Sequence, residues 1–417
     1  MIYYLFPERR STHLILGAFF CAILFLARDT LYACVTIGFT RSQLLMLGAA
    51  VLMGVWFLAV NRGRWKRIFR DGRLLLAAVA GVLILLPMLW KRDWQLMYFS
   101  IFFAVAVGVF ASYFLTCGQA AKYYVTILSA LAVYSVLAAY LLRIPADLGL
   151  WKPPIAVNSS GVEFYRFGLS FVPLTFVKYR NFGIFREPGV YQYFLILGLY
   201  LNNYHITWDS PKKLWAVNLI LAATTVTTFA TGGLVELALL AAVMFFDKGW
   251  YRTRTGKLLA GGLILLGAAA VTYIVLEKGA LYATLLDMLG KFRFDSESMS
   301  DRAGSILVNS RLFLRHPVFG AGISETLHAI DNNTSSSTIL YAILGVLGGS
   351  LNAAGWLCLV WRKGEKKGAC LALTVILFMS FNTENLITDP YFWLFPVLAM
   401  AQWGLPAVRG LCRPGKE

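Results

Sequence analysis

Three charges stand at the head of an apolar run in RNFGIFREPGVYQYF (180–194): Arg180, Arg186 and Glu187. A second stretch, SDRAGSILVNSRLFLR (300–315), carries Arg302, Arg311 and Arg315, and HPVFGAG follows it. Arginine offers a rigid fork of donors that fits phosphate oxygens two at a time. A carboxylate such as Glu187, or an imidazole such as His328, has the chemistry to take the proton of a hydroxyl nucleophile. Glu236 is the one acid inside an apolar run, where a charge is expensive and is a functional candidate by default. Asn333, with Asn332, Thr334 and Ser335, offers partners for sugar hydroxyls. Each residue also has a plainer reading. Arg180 and Arg186 fit interfacial anchors, and Glu187 fits an ion pair with either. Arg302 and Arg311 fit the solvated face of a short helix, and Glu236 fits a structural pair with an arginine. His328 fits an ordinary loop histidine, and His316 fits the end of a helix. The Asn–Thr–Ser group fits the N-cap of a helix beginning near 337.

What must position these residues is a series of membrane-length apolar runs. Of 417 residues, 59% are hydrophobic and 14% charged, against about a quarter charged in soluble domains. Runs near 13–28, 43–60, 74–90, 95–116, 123–142, 189–202, 214–230, 233–246, 258–276, 337–361, 369–381 and 391–405 predict twelve spans and an all-α polytopic membrane fold. Thr231-Gly232-Gly233 reads as the turn between the seventh and eighth. The first run follows Glu8-Arg9-Arg10 without a small-x-small cleavage site, so it reads as a retained helix. With the N-terminus inside, the inner loops and tail hold 22 Lys and Arg, and the short outer loops hold 4. That asymmetry places both termini in the cytoplasm. It also accounts for the net charge of +17 without nucleic acid. The six cysteines show no CxxC and no zinc spacing, and read as small apolar packing residues.

Two long outer loops, about 143–188 and 277–336, hold the other twelve Lys and Arg. Long ordered loops in a compact protein are usually functional. GVEFYRFGLSFVPLTFVKYR (161–180) has six aromatics and reads as an interfacial belt, or as a lid lying on the bilayer. Residues 300–315 predict an amphipathic helix with Ser300 as N-cap, Arg311 and Arg315 on one face, and Pro317 beyond its end. An anion that meets arginines on the outer face of a bilayer is naturally a lipid-linked phosphate, a polyprenyl diphosphate carrying a sugar above all. An arginine clamp on the departing diphosphate is electrostatic catalysis. No Asp-rich metal motif is evident, and no cofactor is expected. No internal repeat is visible, which weighs against an inverted-repeat transporter.

RNFGIFREPG (180–189) resembles the R-x-x-G-x-F-x-x-P pattern of the O-antigen ligase/polymerase superfamily. NSRLFLRHPVFGAGIS (309–324) resembles its second signature, a short helix ending in H-P-x-x-G-x-G, and Arg311 to Gly322 matches an R-x10-G spacing of the polymerases. The resemblance implies a GT-C-like, metal-independent glycosyltransferase in the bacterial inner membrane. It would act on undecaprenyl-diphosphate-linked glycans at the periplasmic face, amid membrane lipid, with a chain-length regulator protein as a further partner. Arg180, with Arg302 or Arg311, would hold the donor diphosphate. Glu187 or His328 would activate the acceptor hydroxyl. Arg186, Glu236 and Asn333 would bind substrate. The chain departs from the ligases in three places. Asn332-Asn333 has no histidine immediately before it, Thr231-Gly232-Gly233 replaces a Ser-Arg-Gly, and Glu187-Pro188-Gly189 replaces an Asn-Pro-Asn. These departures favour a Wzy-type polymerase of O-antigen, capsule or exopolysaccharide over a ligase. A flippase for the same lipid-linked sugars is the rival from another class.

Overall fold

Each of the twelve apolar stretches lies on a helix. The computed structural model describes residues 10–60, 72–113, 115–158, 161–174, 180–279, 282, 286, 290, 297–330, 333–362 and 364–404. The apolar helices are α1 (Arg10–Leu26), α2 (Phe39–Val60), α3 (Gly72–Lys91), α4 (Leu96–Ala111) and α5 (Cys117–Leu137), with the short α6 (Arg143–Asp147) continuing α5 through a π-helical turn. After a small sheet come α7 (Pro188–Tyr204), α8 (Pro211–Thr227), α9 (Thr231–Asp247) and α10 (Arg254–Glu277). The second long loop carries α11 (Glu297–Arg315) and α12 (Ile323–Ala329), and α13 (Ser336–Val360), α14 (Lys367–Phe381) and α15 (Pro390–Ala399) complete the bundle. About three quarters of the chain is helical.

Among the described residues, three helical runs are long and apolar enough to cross a membrane: α3, the continuous Cys117–Asp147, and α13. A 20-residue helix spans about 30 Å, the thickness of a bilayer's hydrocarbon core. Large apolar side chains such as Leu52, Leu75, Val82 and Leu219 are exposed on the outer helices. That is the surface a lipid environment, not water, would cover. The described cysteines are all free thiols.

The core forms where helices are apolar all round. All ten residues of α15 and fifteen of the seventeen in α7 are buried, so these two helices run through the centre. Aromatic contacts join them: the Phe194 and Tyr391 rings lie 6.0 Å apart, and Tyr124 on α5 donates to the Phe194 carbonyl at 2.9 Å. Close approach needs missing side chains. A Cβ on Gly355 of α13 would sit 2.5 Å from Pro396 of α15, and one on Gly108 of α4 would sit 2.8 Å from Val397. Alternate connections gather at opposite ends of the bundle. At one end Arg73 reaches the Ser112 carbonyl, and Lys366 pairs with Asp247 at 3.2 Å. At the other, Leu31 pairs with Ile184 and Asn181 with Thr227 through backbone bonds.

Three local expectations change. The turn between α8 and α9 is Thr228–Ala230, with Phe229 at φ 47°, and Thr231-Gly232-Gly233 is the first turn of α9. The glycines serve packing instead: a Cβ on Gly233 would lie 2.4 Å from Gln192 Oε1 and 2.8 Å from Gln192 Cβ on α7. The described part of the aromatic segment is not helical but belongs to an antiparallel meander of β1 (Ile155–Val157), β2 (Glu163–Phe167) and β3 (Ser170–Pro173). Its register pairs Ile155 with Tyr165 and Phe167 with Ser170. Alternation in the strands turns Phe164 and Phe171 inward onto Leu31 and Phe182, and Phe167 onto Ala138 and Ala139. Phe176 and Tyr179 lie outside the described residues. Finally, α11 begins at Glu297, so Ser300 sits inside the helix instead of capping it.

The loop after α11 is stitched into a break in α13. Gly345, at φ 69° and ψ −169°, opens that helix. Ala321 N–H then bonds the Ala342 carbonyl at 2.7 Å, and Val346 N–H bonds the Pro317 carbonyl at 2.8 Å. A Cβ at Gly345 would stand 2.1 Å from the Val318 carbonyl oxygen, in a backbone region glycine alone tolerates. We expect Gly345→Ala to destabilise the folded chain by at least ~2 kcal/mol. Melting of the purified variant in detergent checks this; an unchanged melting temperature would contradict it.

Candidate functional site

The stretch 180–189 is held rigidly before it becomes a helix. Gly183 adopts φ 56°, with the Tyr191 ring 2.8 Å from where a Cβ would be. Its carbonyl accepts from Phe171 N–H of β3 at 2.8 Å, and its own N–H is taken by Asn181 Oδ1 at 3.0 Å. Asn181 Nδ2 donates to Ser135 Oγ at 2.9 Å and to Thr227 Oγ1 at 3.1 Å. The small sheet, the end of α5 and the α8–α9 turn thus clamp one segment. Pro188 then starts α7, a position that needs no N–H.

At this end of the bundle lies a cavity of about 830 Å³, within the size range of small-molecule sites. Arg180, Arg186 and Glu187 border it from the clamped stretch, and Glu236 from the first turns of α9. Arg302 faces it from α11, and Asn333 from the segment before α13. The structure therefore brings six of the sequence candidates together. Arg311 and His328 lie outside the cavity and are exposed. Arg311 is nine residues beyond Arg302, about two and a half helical turns, which carries it to the opposite face. His328 sits in the last turn of α12. His316 caps a surface junction, with Nε2 3.4 Å from Glu325 and Nδ1 3.4 Å from Lys91. Asn332 falls outside the described residues.

Arg186 is not open to an anion in this arrangement. Nε meets Asp29 Oδ1 at 2.8 Å, Nη1 meets Glu187 Oε1 at 3.0 Å and Nη2 meets Glu384 Oε2 at 3.4 Å. Burial disfavours its charge, but the three carboxylates outweigh burial and hold the guanidinium pKa above its ordinary value. In this arrangement it is an electrostatic hub on the cavity wall. Asp29 and Glu384 are the partners that sequence reasoning missed. Glu384 was readable as an acid in a polar link, FNTENLITDP, between two apolar runs. Nothing in sequence joins Asp29 to position 186. Burial pushes the Glu384 carboxyl up to about 8, neighbouring Glu187 adds to the rise, and Arg186 opposes it.

Arg302 differs from Arg186, making no hydrogen bond or ion pair among the described residues. Its helix face is docked by polar contacts one and two turns on: Ser305 Oγ accepts from Thr334 N–H at 3.1 Å. Asn309 and Asn333 exchange two amide bonds, at 3.0 and 2.7 Å. Residues three, four and seven apart share one face, so this docking turns Arg302 to the cavity and leaves Asn333 mainly structural. Arg180 Nε donates to the Thr228 carbonyl at 3.1 Å. Glu236 is fully buried; Oε2 accepts from Ser380 at 2.9 Å, while Oε1 has no hydrogen-bond partner among the described residues. Gln192 Oε1, on the same wall, is likewise unpartnered there. The cavity thus offers guanidinium forks beside buried acceptors, a surface suited to a phosphorylated, hydroxyl-rich ligand. Among the described residues, no group of three His, Cys, Asp or Glu could hold a metal ion.

Two outcomes are expected. Arg186→Ala strands Asp29, which is 1% exposed. It should cost at least ~2 kcal/mol, below the ~3–5 of a fully buried pair because the guanidinium is partly solvated. Arg302→Ala should change stability by no more than ~0.5 kcal/mol. Equal melting temperatures for the two variants would refute the hub. The second outcome concerns pH. An unfolded glutamate titrates near ~4.3, so between there and about 8 the folded chain holds the extra proton. Stability then falls as pH rises through that window. The melting temperature of the unmodified chain should fall more steeply from about pH 5 to 8 than that of Glu384→Gln; parallel curves would show that this carboxyl does not titrate there. Compared with protein-family models and with curated proteins, the chain matches none.

Proposed function

We propose that the chain is a GT-C-like glycosyltransferase of twelve spans in the bacterial inner membrane, with cytoplasmic termini and a periplasmic cavity. It would transfer a glycan from its polyprenyl diphosphate carrier onto a sugar hydroxyl of a second lipid-linked repeat unit, lengthening a polysaccharide. The observation that carries this reading is the meeting of Arg180 and Arg302, from two loops far apart in sequence, on one cavity with buried acceptors. The charge asymmetry of the sequence supports an outer position for both loops.

In this mechanism Arg180 and Arg302 hold the diphosphate and stabilise the charge that grows on it as the anomeric bond breaks. Arg186 keeps the nearby carboxylates in place without touching the donor. Glu236 and Gln192, polar side chains among those that line the same cavity, suit a hydroxyl-rich ligand. The resemblance in 180–189 and 309–324 supports the same class. A ligase differs only in its acceptor, lipid A core, and a flippase would move the donor without lengthening it. The chain-length regulator is an expected partner.

The test is reconstitution with a lipid-linked repeat unit and a gel readout of polymer. Arg180→Ala and Arg302→Ala should each lower polymer formation by ~100-fold or more, while Arg311→Ala and His328→Ala should stay within about threefold. A full polymer ladder from the first pair would end the proposal. Transfer only to lipid A core would indicate the ligase, and transbilayer movement without lengthening the flippase.

A further inference from the structure

Three carboxylates share one guanidinium at the head of α7, and they are not equivalent. Asp29 is buried behind Arg186, off the cavity wall. Glu187 is on the wall, but half of its side chain is in solvent and it bonds Arg186 directly. Only Glu384 is both buried and on the wall. Its position is built from several sides. Arg186 Nη2 holds Oε2, and Oε1 lies where a Cβ on residue 189 would come within 2.3 Å, so Gly189 is what makes room for it. Ser336 Oγ bonds the Glu384 carbonyl and accepts from Leu386 N–H at 2.7 Å, which fixes the backbone. Asn382, Thr383 and Asn385 of the same link also face the cavity, and they have the chemistry to hold a sugar beside this carboxylate.

We propose that Glu384, and not Glu187 or His328, is the general base of the transfer, a role that rests on the glycosyltransferase reading above. The Glu384 carboxylate takes the proton of the acceptor hydroxyl as that oxygen forms its bond to the anomeric carbon of the donor. The bond from that carbon to the diphosphate oxygen breaks, and its electron pair leaves with the diphosphate, held by Arg180 and Arg302. The proton then passes from Glu384 to water. A base must reach its proton from a fixed position, and Glu384 is the fixed one. Its raised pKa, about 8, supports the role, because a base titrating near working pH is the most effective. The charged groups that face it are Arg186 and Glu187 at the start of α7, Asp29 between α1 and α2, and Arg302 on α11.

The test uses the full chain in proteoliposomes with lipid-linked repeat units, scoring turnover and, separately, binding of sugar-free polyprenyl diphosphate. Glu384→Gln should lose ~100-fold or more of turnover and keep its diphosphate affinity within about twofold. Glu187→Gln should lose less than about tenfold. Turnover of the unmodified chain should rise with pH to about 8 and then level, a limb that Glu384→Gln lacks. Glu384→Asp, which keeps the acid but shortens its reach, should retain that limb at reduced rate, and it decides the matter if Glu384→Gln does not elute as a folded protein. Polymer formation by Glu384→Gln within tenfold of the unmodified chain, or full-rate turnover by Glu384→Asp with an unshifted pH limb, would overturn the assignment of the base. Neither result would touch the wider reading, which fails instead if the unmodified chain neither binds the diphosphate nor extends a glycan.

Discussion

One guanidinium organises the charged end of this molecule. Arg186 gathers Asp29 from the α1–α2 link, Glu187 from the head of α7 and Glu384 from the α14–α15 link. Three segments spread over most of the chain are thereby pinned at one point beside the cavity. A carboxylate as buried as Asp29 is tolerable only with such a partner. Three acids around one base leave an excess of negative charge, and the proton held by Glu384 relieves it. The constraint that fixes the fold here also sets the protonation of a group on the cavity wall.

Around that point the packing is polar but highly paired. Asn181 bridges the end of α5 and the α8–α9 turn, and Asn309 and Asn333 lock α11 to the segment before α13. Such amides specify a single seating, since a slip leaves buried donors unmatched. Against this background the unpaired oxygens of Glu236 and Gln192 stand out. With the Thr334 hydroxyl, these are buried oxygens of cavity-lining residues that have no hydrogen-bond partner among the described residues.

Glycines decide how closely these pieces approach. Gly233 lets α9 lie on α7, Gly189 admits the Glu384 carboxylate, and Gly345 opens α13 so that the loop after α11 can enter. Each is a close contact that a single methyl group would block. The glycine of the 231–233 triplet was visible in the sequence, but its purpose was not. A Gly-Gly pair reads locally as a turn, whereas here it allows a contact with a helix some forty residues away.

The sequence by itself determined where the helices are, because membrane-length apolar runs are a local property that needs no partner to be read. It also picked out six residues of the cavity wall, Arg180, Arg186, Glu187, Arg302, Glu236 and Asn333, most of them charges unusual for their neighbourhoods, and a misplaced charge is legible residue by residue. Only the tertiary structure decided which of these act together. It surrounded Arg186 with carboxylates, turned Arg311 to the far face of α11, and left His328 on the surface. It folded the aromatic run into a sheet because Phe164 and Phe171 found a core on Leu31 and Phe182. It also brought Glu384 to the cavity. The reason is common to all of these: pairing, burial and facing depend on residues far away in the chain, and one sequence read locally carries no record of those distances.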